Sequence, residues 1–235
     1  MAALLTAIGL TKIYGKDNTR VVALDDVSFA VERGTLTVIL GPSGAGKSTL
    51  LNLIGAMDVV TSGILAVDGE NVAAYNAKQR SLYRRNKVGF VFQTYNLMGS
   101  LSAKENVELA TEMRAGQALD PVETLTKVGL QGRINNTPAQ LSGGEQQRVS
   151  IARALAKNSE IILCDEPTGA LDYQTGKEIL ALLAKAARED GKTVLLVTHN
   201  SALKEMGDHL ICLKNGKIIS DELNPNPKNI EEIEW

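Results

Sequence analysis

The chain has 235 residues, 44% of them hydrophobic, enough to bury a large core and form one composite domain with two lobes. Its 25 Lys and Arg against 27 Asp and Glu give a formal net charge of -2. That balance, with no lysine- or arginine-rich run, argues against a nucleic-acid-binding surface as the main activity.

Met1-Ala-Ala-Leu-Leu-Thr lacks the basic start and long apolar stretch of a signal peptide. No apolar run approaches the roughly 20 residues of a transmembrane helix. A cytoplasmic chain is expected, with any membrane function coming through a partner. Residues 1–40 are β-rich, with strands near Leu4–Ile13, Val21–Val31 and Thr35–Leu40. A helix follows over Ser48–Met57, and Gly63–Asp68 reads as a strand ending in the turn Asp68-Gly69. Residues 78–87 read as a short polar helix whose Arg80, Arg84, Arg85 and Lys87 form a solvated face. The apolar strand Val88–Phe92 leads to Gln93. From Tyr95 to Lys157 the pattern is helical, broken at Gly99-Ser100, Gly116, Pro121, Gly129 and Pro138. Buried strands return at Ile161–Cys164 and Thr193–Val197, with the helix Gln174–Glu189 between them. Asn215-Gly216, between Ile211–Lys214 and Lys217–Ser220, is a hairpin turn. The acidic tail from Asp221 contains Asn-Pro-Asn-Pro and is expected to be extended or peripheral. Cys164 and Cys212 sit in apolar strands, where buried free thiols suit a reducing compartment. Their number and spacing indicate neither a disulfide nor a zinc site. His209, at the start of a strand, reads as structural.

Gly41-Pro-Ser-Gly-Ala-Gly-Lys47-Ser48 fits G-x-x-x-x-G-K-[ST], and a buried strand precedes it while a helix follows. Glycines let the backbone wrap a phosphate with successive N–H groups pointing inward, and the helix N-terminus adds partial positive charge. Gly41, Ser43, Gly44, Ala45, Gly46 and Thr49 belong to this cradle. Lys47 reaches the β- and γ-phosphates, and the Ser48 hydroxyl binds Mg²⁺. A second glycine-serine segment, Leu141-Ser-Gly-Gly-Glu-Gln-Gln147, opens another predicted helix. It has the same physics, so one nucleotide can be gripped from two sides.

These two motifs resemble those of the nucleotide-binding subunit of ABC transporters, and the resemblance runs from about Leu5 to Ser220. It implies an α/β P-loop NTPase fold of the ABC ATPase type: a mixed β core, a helical signature subdomain and an antiparallel β subdomain. Residues 1–94 and 158–220 would form the core with its β subdomain, 95–157 the helical part and 221–235 the tail. The resemblance implies a homodimer enclosing two ATP molecules, with Ser142, Gly143 and Gly144 of one subunit on the γ-phosphate held by the other. Glu145 stands where glutamine is common. Ile161-Ile-Leu-Cys-Asp165-Glu166 matches the Walker B segment, with Asp165 holding Mg²⁺ and Glu166 acting as general base. Gln93 matches the glutamine that contacts Mg²⁺ and the lytic water. His199 matches the histidine that contacts the γ-phosphate, and Asp172 the loop that signals across the dimer. Tyr14 matches the aromatic that stacks on adenine. Gly169 departs from the family, where Ser is frequent.

The stretch FVFQTYNLMGSLSAKENV, with LSGGEQQRVSIARAL and DEPTGALD, is similar to the macrolide-exporter, lipoprotein-releasing and cell-division group. That similarity implies an ATPase peripheral to the cytoplasmic face of the membrane, driving export, lipoprotein release or mechanotransmission through integral-membrane permease subunits. Tyr95, Asn96, Leu97, Met98 and Leu101 are the candidate groove for the permease. The alternatives are an amino-acid-type importer subunit and a soluble ABC ATPase. The presence of Lys47, Asp165, Glu166 and His199 argues against a catalytically dead module.

Overall fold

The computed structural model describes residues 3–112, 114 and 118–234; the break expected at Gly116 lies outside them. In chain order the strands are β1 (Ala3–Tyr14), β2 (Val21–Glu32), β3 (Leu36–Leu40), β4 (Ser62–Val67), β5 (Glu70–Asn71), β6 (Val88–Val91), β7 (Ile161–Asp165), β8 (Thr193–Thr198), β9 (His209–Lys214) and β10 (Lys217–Leu223). The helices are α1 (Lys47–Ile54), α2 (Ala77–Lys87), α3 (Ala103–Glu112), α4 (Pro121–Lys127), α5 (Gly143–Ala156) and α6 (Tyr173–Arg188). One sheet is antiparallel, ordered β2-β1-β4-β5. The other is ordered β10-β9-β3-β8-β7-β6 and is parallel except for the β9–β10 hairpin.

The parallel strands read as unbroken apolar runs because both faces of their sheet are covered. Leu36 and Val38 of β3, Ile162 and Cys164 of β7, and Val194 and Leu196 of β8 face the core shared with α3 to α6. Ile39, Ile161, Leu163, Leu195 and Val197 face the core shared with α1 and the antiparallel sheet. The period of two thus divides one sheet between two cores. Helix starts follow local chemistry: Asn76 and Ser142 form capping boxes with Gln79 and Glu145, and Asp120 caps α4 ahead of Pro121.

Two expectations are corrected. The tail is extended through Leu223 as the end of β10 and mostly exposed, but it is not merely peripheral, because Ile230 and Ile233 are buried in the core under α6. Lys177 Nζ donates to the Glu231 carbonyl at 3.2 Å, which helps to fix the segment. Two isoleucines among acids and prolines were too sparse to register as a periodic apolar pattern. Cys164 is buried, but Cys212 is only half-buried, because β10 covers it from an exposed hairpin. The basic face of α2 is tied to its surroundings: Arg84 donates to the Ala56 carbonyl, and Lys87 bonds Asp68 and Glu160. His209 is buried with Nε2 2.5 Å from Asp221 Oδ1, as a structural histidine would be. Among the described residues no helix is long and apolar enough to cross a membrane.

Candidate active site

The carboxyl ends of β3, β6, β7 and β8 carry the candidate residues, where ligand sites on parallel sheets are expected. The loop after β3 holds Ser43 and Gly44 toward solvent, leaves Gly41 half-buried and buries Ala45. Gly46 caps α1 at φ 101°, a left-handed conformation, and a Cβ there would sit 2.5 Å from the Ala23 carbonyl oxygen. Lys47 is only 6% exposed; its Nζ donates to the Gly41 carbonyl at 2.7 Å and the Pro42 carbonyl at 3.0 Å, bridging the loop. Ser48 Oγ donates to Asp165 Oδ1 at 3.1 Å, joining the loop to the end of β7, and Thr49 is half-buried beside it. Burial raises the Asp165 pKa; Ser48 opposes this, and the Glu166 charge adds to it.

Glu166 is held at φ 48°, an uncommon conformation for this residue type, by its N–H on the Val197 carbonyl at 3.0 Å. Its Oε2 lies 2.6 Å from His199 Nδ1 at the end of β8. Carboxylate and imidazole are therefore brought into close contact from neighbouring strands. Gln93 is exposed beyond β6, and its amide nitrogen would be 2.9 Å from a Cβ on Gly169. A serine at position 169 would have to move this amide.

The signature segment sits elsewhere in the sequence but contacts two of these loops. Ser142 caps α5, with Oγ accepting from Glu145 N at 3.2 Å and Ser142 N donating to Glu145 Oε2 at 2.8 Å. Glu145 also accepts from Arg133 Nε at 2.9 Å. The Ser142 N–H, then Arg133, lower the Glu145 pKa. A Cβ on Gly143 would meet the Tyr95 hydroxyl, and one on Gly144 would meet Thr175 of α6. Asp172 caps α6, accepting from Thr175 N at 3.1 Å; the Thr175 side chain, then its N–H, depress the Asp172 pKa. Tyr14 ends β1, is 41% exposed and places its hydroxyl on Asp58 Oδ2 at 2.7 Å.

Residues 24–169 match the family model described as ABC transporter. The chain belongs to the ABC transporter family. A macrolide export ATP-binding/permease protein of Hyphomonas neptunium is 44% identical over 220 residues, 92% of this chain and 34% of that protein. The protein of the same description from Bartonella henselae is 42% identical over 229 residues, 94% of this chain and 34% of its own length. The chain thus spans about a third of the length of these curated relatives. The dimeric ATP-binding cassette MJ0796, solved in a post-hydrolysis state bound to ADP and Pi, is 41% identical with a TM-score of 0.85, covering 93% of this chain and 98% of that one. The fold is therefore that of the ABC ATPase cassettes, and the chain is an ABC ATPase that belongs to an ATP-binding family.

The residues of this cassette fit a magnesium nucleotide. Ser48 Oγ and Asp165 Oδ1 are hard oxygen donors already side by side, and Gln93 carries a third on the neighbouring strand end. Lys47 and the amides at the start of α1 supply the complementary positive charge. One contact beside a candidate site residue escaped the sequence: Asp58, which binds both Lys12 and Tyr14. It lies in a loop without a motif; only a lysine on an otherwise apolar strand hinted that a counter-charge was needed.

Proposed function

We propose that this cassette binds and hydrolyses Mg-ATP as a head-to-tail homodimer and thereby drives an integral-membrane permease. The observation that carries the reading is the convergence of Lys47, Ser48, Asp165, Glu166 and His199 at neighbouring strand ends. Lys47 leaves the two loop carbonyls for the β- and γ-phosphates. Glu166 takes the proton of the attacking water, held in place by its backbone bond to the Val197 carbonyl and the close approach of His199. His199, with Nδ1 on Glu166, keeps Nε2 for the γ-phosphate. Ser48 Oγ, Asp165 and Gln93 would hold Mg²⁺. When bound, that ion neutralises charge developing on the phosphate oxygens. Ser142, Gly143 and Gly144 serve the partner's γ-phosphate, and Tyr14 stacks on adenine. ATP closes the dimer, and loss of the γ-phosphate contacts lets it reopen.

Residues 1–94 and 158–220 form the nucleotide core with its β subdomain in this reading, and 95–157 the helical part. The macrolide-export ATP-binding/permease proteins support work of the export, lipoprotein-release or mechanotransmission kind, with the cassette peripheral to the cytoplasmic face of the membrane. The segment after Gln93 is the permease contact; Met98 is exposed there, while Leu97 packs on the core. Copurification of the tagged protein from gently solubilised native membranes, alongside ATP turnover, tests the proposal. A permease with a large extracytoplasmic domain, and turnover abolished by Lys47→Ala, is the expected outcome. A permease accompanied by a solute-binding protein would replace export by import. Turnover insensitive to Lys47→Ala would remove the catalytic reading.

A further inference from the structure

The loop after α1 is strapped to the end of β1 by side chains and backbone together. Lys12 Nζ donates to Asp58 Oδ1 at 2.7 Å and to the Val59 carbonyl at 2.8 Å. Thr61 N donates to the Thr11 carbonyl at 3.0 Å, and Thr61 Oγ1 accepts from Ile13 N at 3.0 Å. The second oxygen of Asp58 accepts the Tyr14 hydroxyl at 2.7 Å. Lys12 is buried, so its ammonium requires the counter-charge that Asp58 provides. That same ammonium stands 4.6 Å from the centroid of the Tyr14 ring, within cation–π range. Tyr14 therefore has its hydroxyl fixed and one face of its ring taken. Tyr14 stays 41% exposed, so a planar guest can reach the ring.

We infer that Asp58 and Lys12 are positioning residues that hold Tyr14 as a one-sided stacking platform for the nucleotide base, locked to the far end of the phosphate-loop helix. The inference rests on the proposed ATP-binding role, with Tyr14 at the base. The N-terminus of α1 grips the phosphates, while the loop leaving its C-terminus fixes Tyr14. The spacing between phosphate grip and base platform is thus set by one braced unit. A ring held before binding loses little rotamer freedom when the base arrives, so pre-organisation appears as affinity.

The test compares ATP with inorganic tripolyphosphate, which carries the phosphates without a base. Binding of each is measured calorimetrically for wild type, Asp58→Ala, Lys12→Met, Tyr14→Phe and Tyr14→Ala, with steady-state turnover in parallel. Losing the stacked ring in Tyr14→Ala weakens ATP at least about fivefold, the lower end for a stacked base. Asp58→Ala and Lys12→Met weaken ATP by about three- to tenfold. Tripolyphosphate affinity stays within about twofold throughout. KM for ATP rises while kcat holds, and Asp58→Ala adds nothing once Tyr14 is alanine. Tyr14→Phe moves ATP affinity in the same direction while leaving the Lys12–Asp58 contact in place. The inference is overturned if Asp58→Ala and Lys12→Met weaken both ligands equally, leave ATP unchanged, or add fully to Tyr14→Ala. Wild type binding neither ligand would defeat the nucleotide-binding reading itself. Both ligands binding normally while Tyr14→Ala and Asp58→Ala leave ATP unaffected would defeat the platform alone.

Discussion

Gly144→Ala places one methyl group where α5 meets α6. Its carbon would lie 2.4 Å from Thr175 Cγ2, while Thr175 Cβ and Oγ1, both at 3.6 Å, are ordinary contacts. Carbon atoms settle at about 3.5–4.0 Å, so the two helices must part by roughly 1.1–1.6 Å or Thr175 must leave its rotamer. Overpacking of this kind costs about 1–3 kcal/mol. At about 2–4 °C per kcal/mol for a chain of this size, the melting midpoint falls by roughly 2–12 °C. The larger consequence is positional. Ser142 and Gly143 precede the strained point and Asp172 caps the helix on its other side, so both sides of the proposed dimer contact shift. A displacement of about 1 Å can cost a hundredfold in rate, and ATP turnover should fall by about that much. Binding to the cassette's own phosphate loop should change little. Thr175→Ser removes only the clashing methyl, so the double variant should recover at least about tenfold of the lost turnover. Turnover is followed by phosphate release and stability by calorimetry. Wild-type behaviour of Gly144→Ala, or failure of Thr175→Ser to rescue it, would refute the packing argument.

Glu166→Gln should retain ATP binding, lose turnover by about a hundredfold or more, and sediment as a dimer at saturating Mg-ATP; unchanged turnover removes Glu166 as the base. Asp165 carries a raised pKa in the folded chain, so the native state holds its proton more tightly than the unfolded one. Stability from this group is therefore present at low pH and is lost as pH rises from the ordinary carboxylate range through the raised value. Asp165→Asn should raise the melting midpoint of the nucleotide-free protein at pH 7, with a gain that shrinks on acidification; a pH-independent gain contradicts the assignment. Ile233→Ala should destabilise the protein by about 2 kcal/mol or more, read by denaturant unfolding, because the side chain is 3% exposed; no change would return the segment to the periphery.

What was legible in the sequence was what is contiguous. Each candidate catalytic motif is a short run at the end of an apolar strand, so strand, turn and candidate residue are read together, as at Leu163-Cys164-Asp165-Glu166. What stayed hidden depends on neighbours in space. Periodicity marks β3, β7, β8 and β9 as strands but does not say that β3 lies between β8 and β9. Lys12 and Asp58 lie 46 positions apart and meet through a loop that no pattern announces. Gly144 reads as an anion-binding glycine; that Thr175 also excludes a side chain there depends on the α5–α6 crossing. The tail failed for a simpler reason: two buried isoleucines among acids and asparagines carry too little periodicity to outweigh their surroundings.

The strand order also governs when this protein can exist during its own synthesis. β3 pairs only with β8 and β9, so the strand that presents the phosphate loop has no sheet neighbours until about 150 more residues have been made. At ribosomal speeds of about 5–20 residues per second, that delay is roughly 8–30 s. During it, the apolar Leu36–Leu40 segment is an unpaired edge and the loop beyond it has no fixed frame. Non-local pairing of this kind slows folding and lengthens exposure to aggregation. A chain broken off before residue 193 would carry the phosphate-loop motif but lack both strands that flank β3. Prematurely terminated products are therefore poor competitors for nucleotide or for a dimer partner, and quality control over the cassette is written into the order of its sheet.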